Sequence, residues 1–368
     1  MIVTMRTDDF DYKLPLELIA QSPIEPRDSS RLMILDRENG EIKHRQFPDL
    51  LGYLRPGDVM VFNQSRVIPA RLYGHRTDTG SKAEFLLLRR NSDGTWEAMA
   101  RPGRRLRPGV VVEIEEKLPL GSRREGDEGE FTVEIITAHD DGLKTVQLSS
   151  EEGIDRFGHT PLPPYIKEPL ENTERYQTVY SHRPGSVAAP TAGLHFTNGL
   201  LQMARDLGVE TVFVTLHVGL DTFKPVDEDD PTEHKIHTEH YQIDAQAADA
   251  LNRAKAEERR IIAIGTTSVR VLEQAGLDLD QNGQTDLKAT ESEASIFILP
   301  GHNFRMVDAM VTNFHLPRSS LMMLVSAFVE SGNRDPSTDG RSIVMAAYEE
   351  GINQRYRFYS FGDAMFIA

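Results

Sequence analysis

Short apolar runs broken by turn residues fill the stretch from about residue 71 to 149, and they predict strands at 83–88, 96–100, 110–114, 131–136 and 144–148. Gly103, Gly109, Gly121 and Gly129 fall in the connections, and Asp141-Gly142 is a hairpin signal. This block reads as a small barrel or sandwich. On either side the pattern changes. The β-branched run 261–264 is followed by Gly265-Thr266-Thr267 and a helical pattern over 268–275. Runs at 209–218 and 309–314 predict two further strands, the second leading through His315-Leu-Pro-Arg-Ser319 into a helix over 320–330.

Strands alternating with helices imply an α/β fold with a mostly parallel sheet. The reading is a three-layer α/β main domain built from 1–71 and 156–368, with a small β-barrel domain inserted at 72–155. Ligands of such sheets sit beyond the carboxyl ends of the strands, so the polar loops after the predicted strands are the expected site.

At 368 residues with 39% hydrophobic and 27% charged positions, the chain has the composition of a globular protein of two or three domains. It has no cysteine, which excludes a disulfide, a thiol nucleophile, a thiolate zinc site and a cysteine-ligated iron–sulfur cluster. No apolar run suits a signal peptide or a membrane span, since the longest uncharged stretch, 184–204, is broken by Pro190, Gly193, Asn198 and Gly199. A cytoplasmic location is expected. The net charge of −16 argues against nucleic acid, yet residues 71–110 carry nine Lys and Arg against four Asp and Glu. Arg89, Arg90, Arg101, Arg104, Arg105 and Arg107 therefore offer either a track for phosphates or a solvated loop.

Several constellations are chemically suggestive. His234, His237 and His240, with His217 upstream, invite a metal reading, but their spacing does not gather three ligands on one helical face and no HExxH occurs. Gly265-Thr266-Thr267-Ser268 suits a phosphate, carboxylate or ribose at a strand-to-helix turn, and equally a helix cap. His195, His217 and His315 stand at three strand or loop ends, where imidazoles serve acid–base chemistry or hold structure. Arg27, Arg31, Arg66, Arg71, Arg270 and Arg318 supply guanidinium forks for carboxylates or phosphates, or structural ion pairs. Phe62, Phe196, Phe223 and Phe314 either stack a base or pack the core.

The motifs Asp9-Phe-Asp-Tyr-Lys-Leu-Pro15, Pro26-Arg-Asp28, Ser30-Arg-Leu32, Arg66-Val-Ile-Pro-Ala-Arg-Leu72, Pro184-Gly-Ser-Val-Ala-Ala-Pro-Thr-Ala-Gly-Leu-His-Phe-Thr197, Leu216-His-Val-Gly-Leu220, Gly265-Thr-Thr-Ser-Val-Arg270, Thr312-Asn-Phe-His-Leu-Pro317 and Ser360-Phe-Gly-Asp-Ala-Met365 run in order along the chain. Together they resemble the S-adenosylmethionine:tRNA ribosyltransferase-isomerase family of queuosine biosynthesis. Gln64-Ser65, Asp221 and Ser295 depart from its pattern, and Asp221 adds a charge beside a candidate site.

The resemblance implies transfer and isomerisation of the ribosyl group of S-adenosylmethionine onto 7-aminomethyl-7-deazaguanine at the wobble position of tRNAs with a GUN anticodon. The products are epoxyqueuosine, adenine and methionine. It implies a transferase that consumes S-adenosylmethionine as substrate, needs no cofactor or metal, and acts as a monomer. His195, His217 and His315 become the catalytic candidates. Thr191, Thr266, Thr267 and Arg270 are expected at the ribose and methionine carboxylate, with Asn313 and Arg318 near the reacting groups. Arg66 and Arg71, with Arg101, Arg104, Arg105 and Arg107, are expected toward tRNA. A histidine–metal hydrolase and a non-catalytic RNA-binding protein are the competing classes.

Overall fold

A computed structural model describes residues 5–116, 130–139, 142–219, 225–236, 238–332 and 339–368. Its strands are β1 (Arg31–Leu35), β2 (Ile42–Gln46), β3 (Val59–Asn63), β4 (Ser65–Val67), β5 (Arg71–Arg76), β6 (Lys82–Arg90), β7 (Trp96–Arg101), β8 (Val111–Ile114), β9 (Thr132–Ala138), β10 (Lys144–Leu148), β11 (Arg183–Ser186), β12 (Glu210–Leu216), β13 (Glu239–Ile243), β14 (Ile261–Ile264), β15 (Thr290–Ala294), β16 (Ala309–Asn313) and β17 (Ala364–Ile367). The helices are α1 (Gly153–Phe157), α2 (Asn198–Asp206), α3 (Ala245–Ala256), α4 (Thr266–Asn282), α5 (Ser320–Gly332) and α6 (Gly340–Asn353). Among the described residues, no helix is long and apolar enough to cross a membrane.

The chain divides into two compact units. The first is Met1–Ser65, Pro163–Arg183 and Ala189–Ala368. Its described strands form a sheet in the order β15-β13-β12-β3-β14-β16-β17-β1-β2. The centre, β12-β3-β14-β16, is parallel, as alternating strands and helices predict. The sheet as a whole is mixed, which corrects the mostly parallel expectation: β17 runs antiparallel to β16 and parallel to β1, while β2, β13 and β15 each pair antiparallel.

Alternation along the central strands sends Met60, Phe62, Ile262, Ile264, Ala309 and Val311 to one face, where Leu200, Leu201 and Ala204 of α2 cover them. α4 packs against β12, β3, β14 and β16, and α3 against β12. Phe62 lies at the centre of the α2 face, edge-on to Phe196 and Tyr180. A fully buried phenyl of this kind contributes about 3–5 kcal/mol when measured by truncation to Ala. Thr197 caps α2 by accepting the Leu200 N–H, and Asp244 caps α3 in the same way through Ala247.

The second unit is Arg66–Leu162 with Pro184–Ala188. Six strands close a barrel in the order β10-β7-β6-β5-β8-β9. Every barrel pair is antiparallel, and Phe85, Leu87, Ala98, Val112, Val133, Ile135 and Val146 fill the interior. The unit reaches beyond 72–155 at both ends. The Ile68 N–H donates to the Ser186 carbonyl, and His159 exchanges backbone bonds with Arg71, so these flanking segments hydrogen-bond within this unit. The hairpin expected at Asp141-Gly142 and the turns at Gly121 and Gly129 involve positions outside the described residues.

Candidate active site

The carboxyl ends of β12, β3, β14 and β16 lie along one edge of the sheet, because the four strands are parallel. After β14 the chain turns at Gly265, whose φ of +88° is a conformation that favours glycine. Its N–H bonds the Val311 carbonyl at 2.7 Å, which fixes the turn to β16. No side chain caps α4, so the cap expected of this motif is not what its hydroxyls provide. Thr266 and Thr267 instead border a cleft, together with Thr191, Asn313, His315, Tyr165, Tyr359 and Ser360. The cleft is narrow and partly open to solvent.

Polar groups in this region are incompletely matched. Among the described residues, Thr267 Oγ1 and Asn313 Oδ1 are buried without a hydrogen-bond partner. Each such group costs about 1–3 kcal/mol if left unsatisfied, and the Asn313 side chain also faces His195. Asn313 is held in place by its amide, which donates to the Tyr359 carbonyl at 3.0 Å. Tyr359 itself has a φ of +71°. The Tyr165 hydroxyl and Ser360 Oγ, both of residues that line the cleft, are 2.7 Å apart. Burial raises the phenols of Tyr165 and Tyr359, the latter to about 12, so both remain neutral.

The three histidines occupy different settings. His315 borders the cleft; its Nε2 lies 2.8 Å from Thr312 Oγ1, its backbone N–H donates to the Tyr348 hydroxyl, and its carbonyl accepts from Tyr12. Burial lowers its pKa to about 3. His195 lies at the end of the turn Thr191–His195, stacked on Phe47, with Nδ1 2.7 Å from Ser30 Oγ. Its Nε2 has no partner in hydrogen-bond geometry among the described residues, and burial lowers it to about 3, with Asn313 offsetting part of the effect. His195 borders a second, smaller pocket with Arg27, Arg175, Leu194 and Ser360. His217 follows β12 and stacks on His240; burial, then the like charge of His240, lowers it to about 4. Its neighbour Val218 borders the cleft. All three imidazoles are therefore neutral at pH 7.

The structure gathers Thr191, Thr266, Thr267, Asn313 and His315 in one cleft. It places Arg270 and Arg318 elsewhere. Arg270 is buried in an ion pair with Glu239, whose other oxygen accepts the Gly219 N–H at 2.9 Å. Arg318, at φ +56°, stands 3.5 Å from Asp8. His234 and His240 bind Glu228 and Glu291, and His237 lies outside the described residues, as do Asp221 and Phe223. Among the described residues, no group of three or more His, Asp or Glu side chains is placed to hold a metal ion. Phe62 and Phe196 are core residues, whereas Phe314 borders the cleft.

In the barrel unit, Arg101, Arg104, Arg105 and Arg107 are exposed around the turn Gly103–Arg105 that follows β7. Arg71 pairs with Glu84, and Arg66 is half-buried. Sequence reasoning did not single out Tyr165, Tyr359 or Glu239. Nor did it single out Asn63, whose side chain bridges the N–H and carbonyl of Leu216 at 3.0 Å each and fixes the end of β12 beside His217. A polar residue closing an all-apolar strand run, Val59–Asn63, was the available signal.

The family model described as queuosine biosynthesis protein matches residues 7–367. A relative from Dehalococcoides mccartyi (strain CBDB1), called S-adenosylmethionine:tRNA ribosyltransferase-isomerase, is 47% identical over 99% of this chain and 100% of its own length. One of the same name from Clostridioides difficile (strain 630) is 48% identical with the same coverage. Among solved structures, the crystal structure of S-adenosylmethionine tRNA ribosyltransferase from Thermotoga maritima is 35% identical, with a TM-score of 0.52, covering 98% of this chain and all of that one.

Proposed function

The chain belongs to the queuosine biosynthesis protein family, and on that premise we propose that it transfers and isomerises the ribosyl group of S-adenosylmethionine onto tRNA. The acceptor is the amine of 7-aminomethyl-7-deazaguanine at the wobble position of GUN-anticodon tRNAs. The products are epoxyqueuosine in tRNA, free adenine and free methionine. S-adenosylmethionine is consumed as a substrate, no separate cofactor is needed, and the working form is a cytoplasmic monomer.

The observation that carries this reading is the joining of the Gly265–Thr267 turn and the Thr312–His315 stretch in one strand-end cleft. The sulfonium of the donor acidifies the adjacent C5′–H, and a neutral base in a dry site removes that proton. His315 is assigned this task because, of the three histidines, it alone borders the cleft. Thr191, Thr266 and Thr267 meet the ribose hydroxyls, and Asn313 offers its unmatched Oδ1 to a donor hydrogen. Loss of the proton allows the sugar to open with departure of adenine, which takes up a proton. The tRNA amine then attacks the opened sugar, and ring closure expels methionine. Arg101, Arg104, Arg105 and Arg107 are assigned to tRNA phosphates, together with Arg66 and Arg71.

Adenine release under single-turnover conditions tests the reading. The expected result is release from S-adenosylmethionine only when tRNA bearing the aminomethyl base is present. Stoichiometric metal with hydrolysis of a small substrate would favour a hydrolase, and tRNA binding without adenine release a non-catalytic binder.

A further inference from the structure

The engagement of Arg270 by Glu239 leaves the donor's methionine carboxylate without the partner that the motif suggested. A second guanidinium is better placed. Arg27 borders the small pocket formed by Pro23, Ile24, Leu194, His195 and Phe361, and Ser360 belongs to the walls of both this pocket and the cleft. The turn Thr191–His195 also serves both, giving Thr191 and Ala192 to the cleft and Leu194 and His195 to the pocket. Among the described residues, Arg27 bonds only the backbone carbonyls of Glu174 at 2.9 Å and Leu194 at 3.4 Å, and no carboxylate pairs with it. A guanidinium has five N–H donors, so most of its fork is unengaged.

We propose that this pocket takes the methionyl tail of S-adenosylmethionine, with Arg27 binding its α-carboxylate and Pro23, Ile24, Leu194 and Phe361 covering its methylenes. The proposal rests on the donor assigned above. Of the two guanidiniums that line the pocket, Arg175 is paired with Glu25 and Arg27 is not, and an apolar lining beside that unpaired cation matches a short alkyl chain ending in an anion, whereas a backbone phosphate of RNA has no apolar stem to bury. Burial and the nearby Arg175 disfavour the charge on Arg27, Glu25 and Glu174 offset part of that, and a bound carboxylate would relieve the rest. Arg175 is itself occupied by Glu25 and by the Ile24 carbonyl.

The test compares S-adenosylmethionine with its decarboxylated form, in wild type and in R27Q, by kcat/KM for tRNA-dependent adenine release. Wild type should prefer the carboxylated donor by about 10–100-fold, the range for a charge-assisted hydrogen bond. In R27Q that ratio should collapse toward one, mainly through KM for S-adenosylmethionine. A structural role would instead depress both donors equally and preserve the ratio, which would overturn the proposal. So would a wild-type enzyme indifferent to the carboxylate. If R27Q fails to melt cooperatively, R27M replaces it: the stem is kept and the charge removed, and an undiminished ratio would count against Arg27. Should wild type release adenine from neither donor, the assigned activity is what fails. Calorimetric binding of the two donors then decides the pocket by the same ratio.

Discussion

Arg270 and Glu239 form a buried ion pair that joins α4, which opens at the Gly265 turn, to the Gly219 N–H beside His217. Removing one partner strands the other charge in a low-dielectric setting. R270M and E239L are each expected to cost about 3–5 kcal/mol by chemical denaturation, and the double variant less than either single one. Equal, additive losses would show that the pair is not coupled.

His315, His195 and His217 are distinguished by what they border. H315Q should lower the single-turnover rate of adenine release by about 10²–10⁴-fold, the usual worth of a general base, with the donor still bound. H217Q should fall by less than about tenfold, since His217 stacks on His240 outside the cleft lining. Comparable losses in both would remove the assignment of proton abstraction to His315.

The depressed pKa values of these imidazoles make stability depend on pH with a definite sign. Unfolded histidine titrates near 6.5, whereas burial holds His195 and His315 at about 3 and His217 at about 4. Below pH 6.5 the unfolded chain therefore binds more protons than the folded one. Their contribution is fully present above pH 6.5 and is lost as pH falls toward 4, by about 1.4 kcal/mol per pH unit for each imidazole kept neutral. Unfolding free energies of wild type and H195Q between pH 7 and 5 check this. The variant should show a slope shallower by about that amount, and an identical slope would contradict it.

The arginines around the turn Gly103–Arg105 yield a salt prediction. Replacing Arg101, Arg104, Arg105 and Arg107 with Gln should weaken tRNA binding and reduce the slope of log K against log salt by up to about 0.9 for each phosphate no longer neutralised. An unchanged slope would leave them as solvated surface charge.

Much of this architecture was legible because its signals are local. The run Ile261–Ile264 ends in a glycine that the turn requires, and the barrel strands are separated by glycines and turn pairs. The C-terminal strand Ala364–Ile367 was not legible: four apolar residues carry no direction, and its place between β16 and β1 depends on tertiary pairing. The site divides in the same way. Asn313 ends β16 and Thr266, Thr267 and His315 stand just after strands, where ligands of α/β sheets bind. Arg270 sits in the same motif as Thr266 and Thr267, yet its partner comes from β13, and no spacing along the chain announces an ion pair. Tyr165 and Ser360 likewise meet across 195 positions of sequence.

The central claim is that the donor's sugar itself moves to the RNA-borne amine. It is tested most directly by supplying S-adenosylmethionine labelled with carbon-13 throughout the ribose, together with tRNA bearing the aminomethyl-deazaguanine, and weighing the digested nucleosides. The account predicts a modified nucleoside carrying every labelled ribose carbon, formed in equal amount with free, unlabelled adenine and methionine. An intact labelled donor beside unchanged tRNA, after prolonged incubation with folded protein, would contradict it.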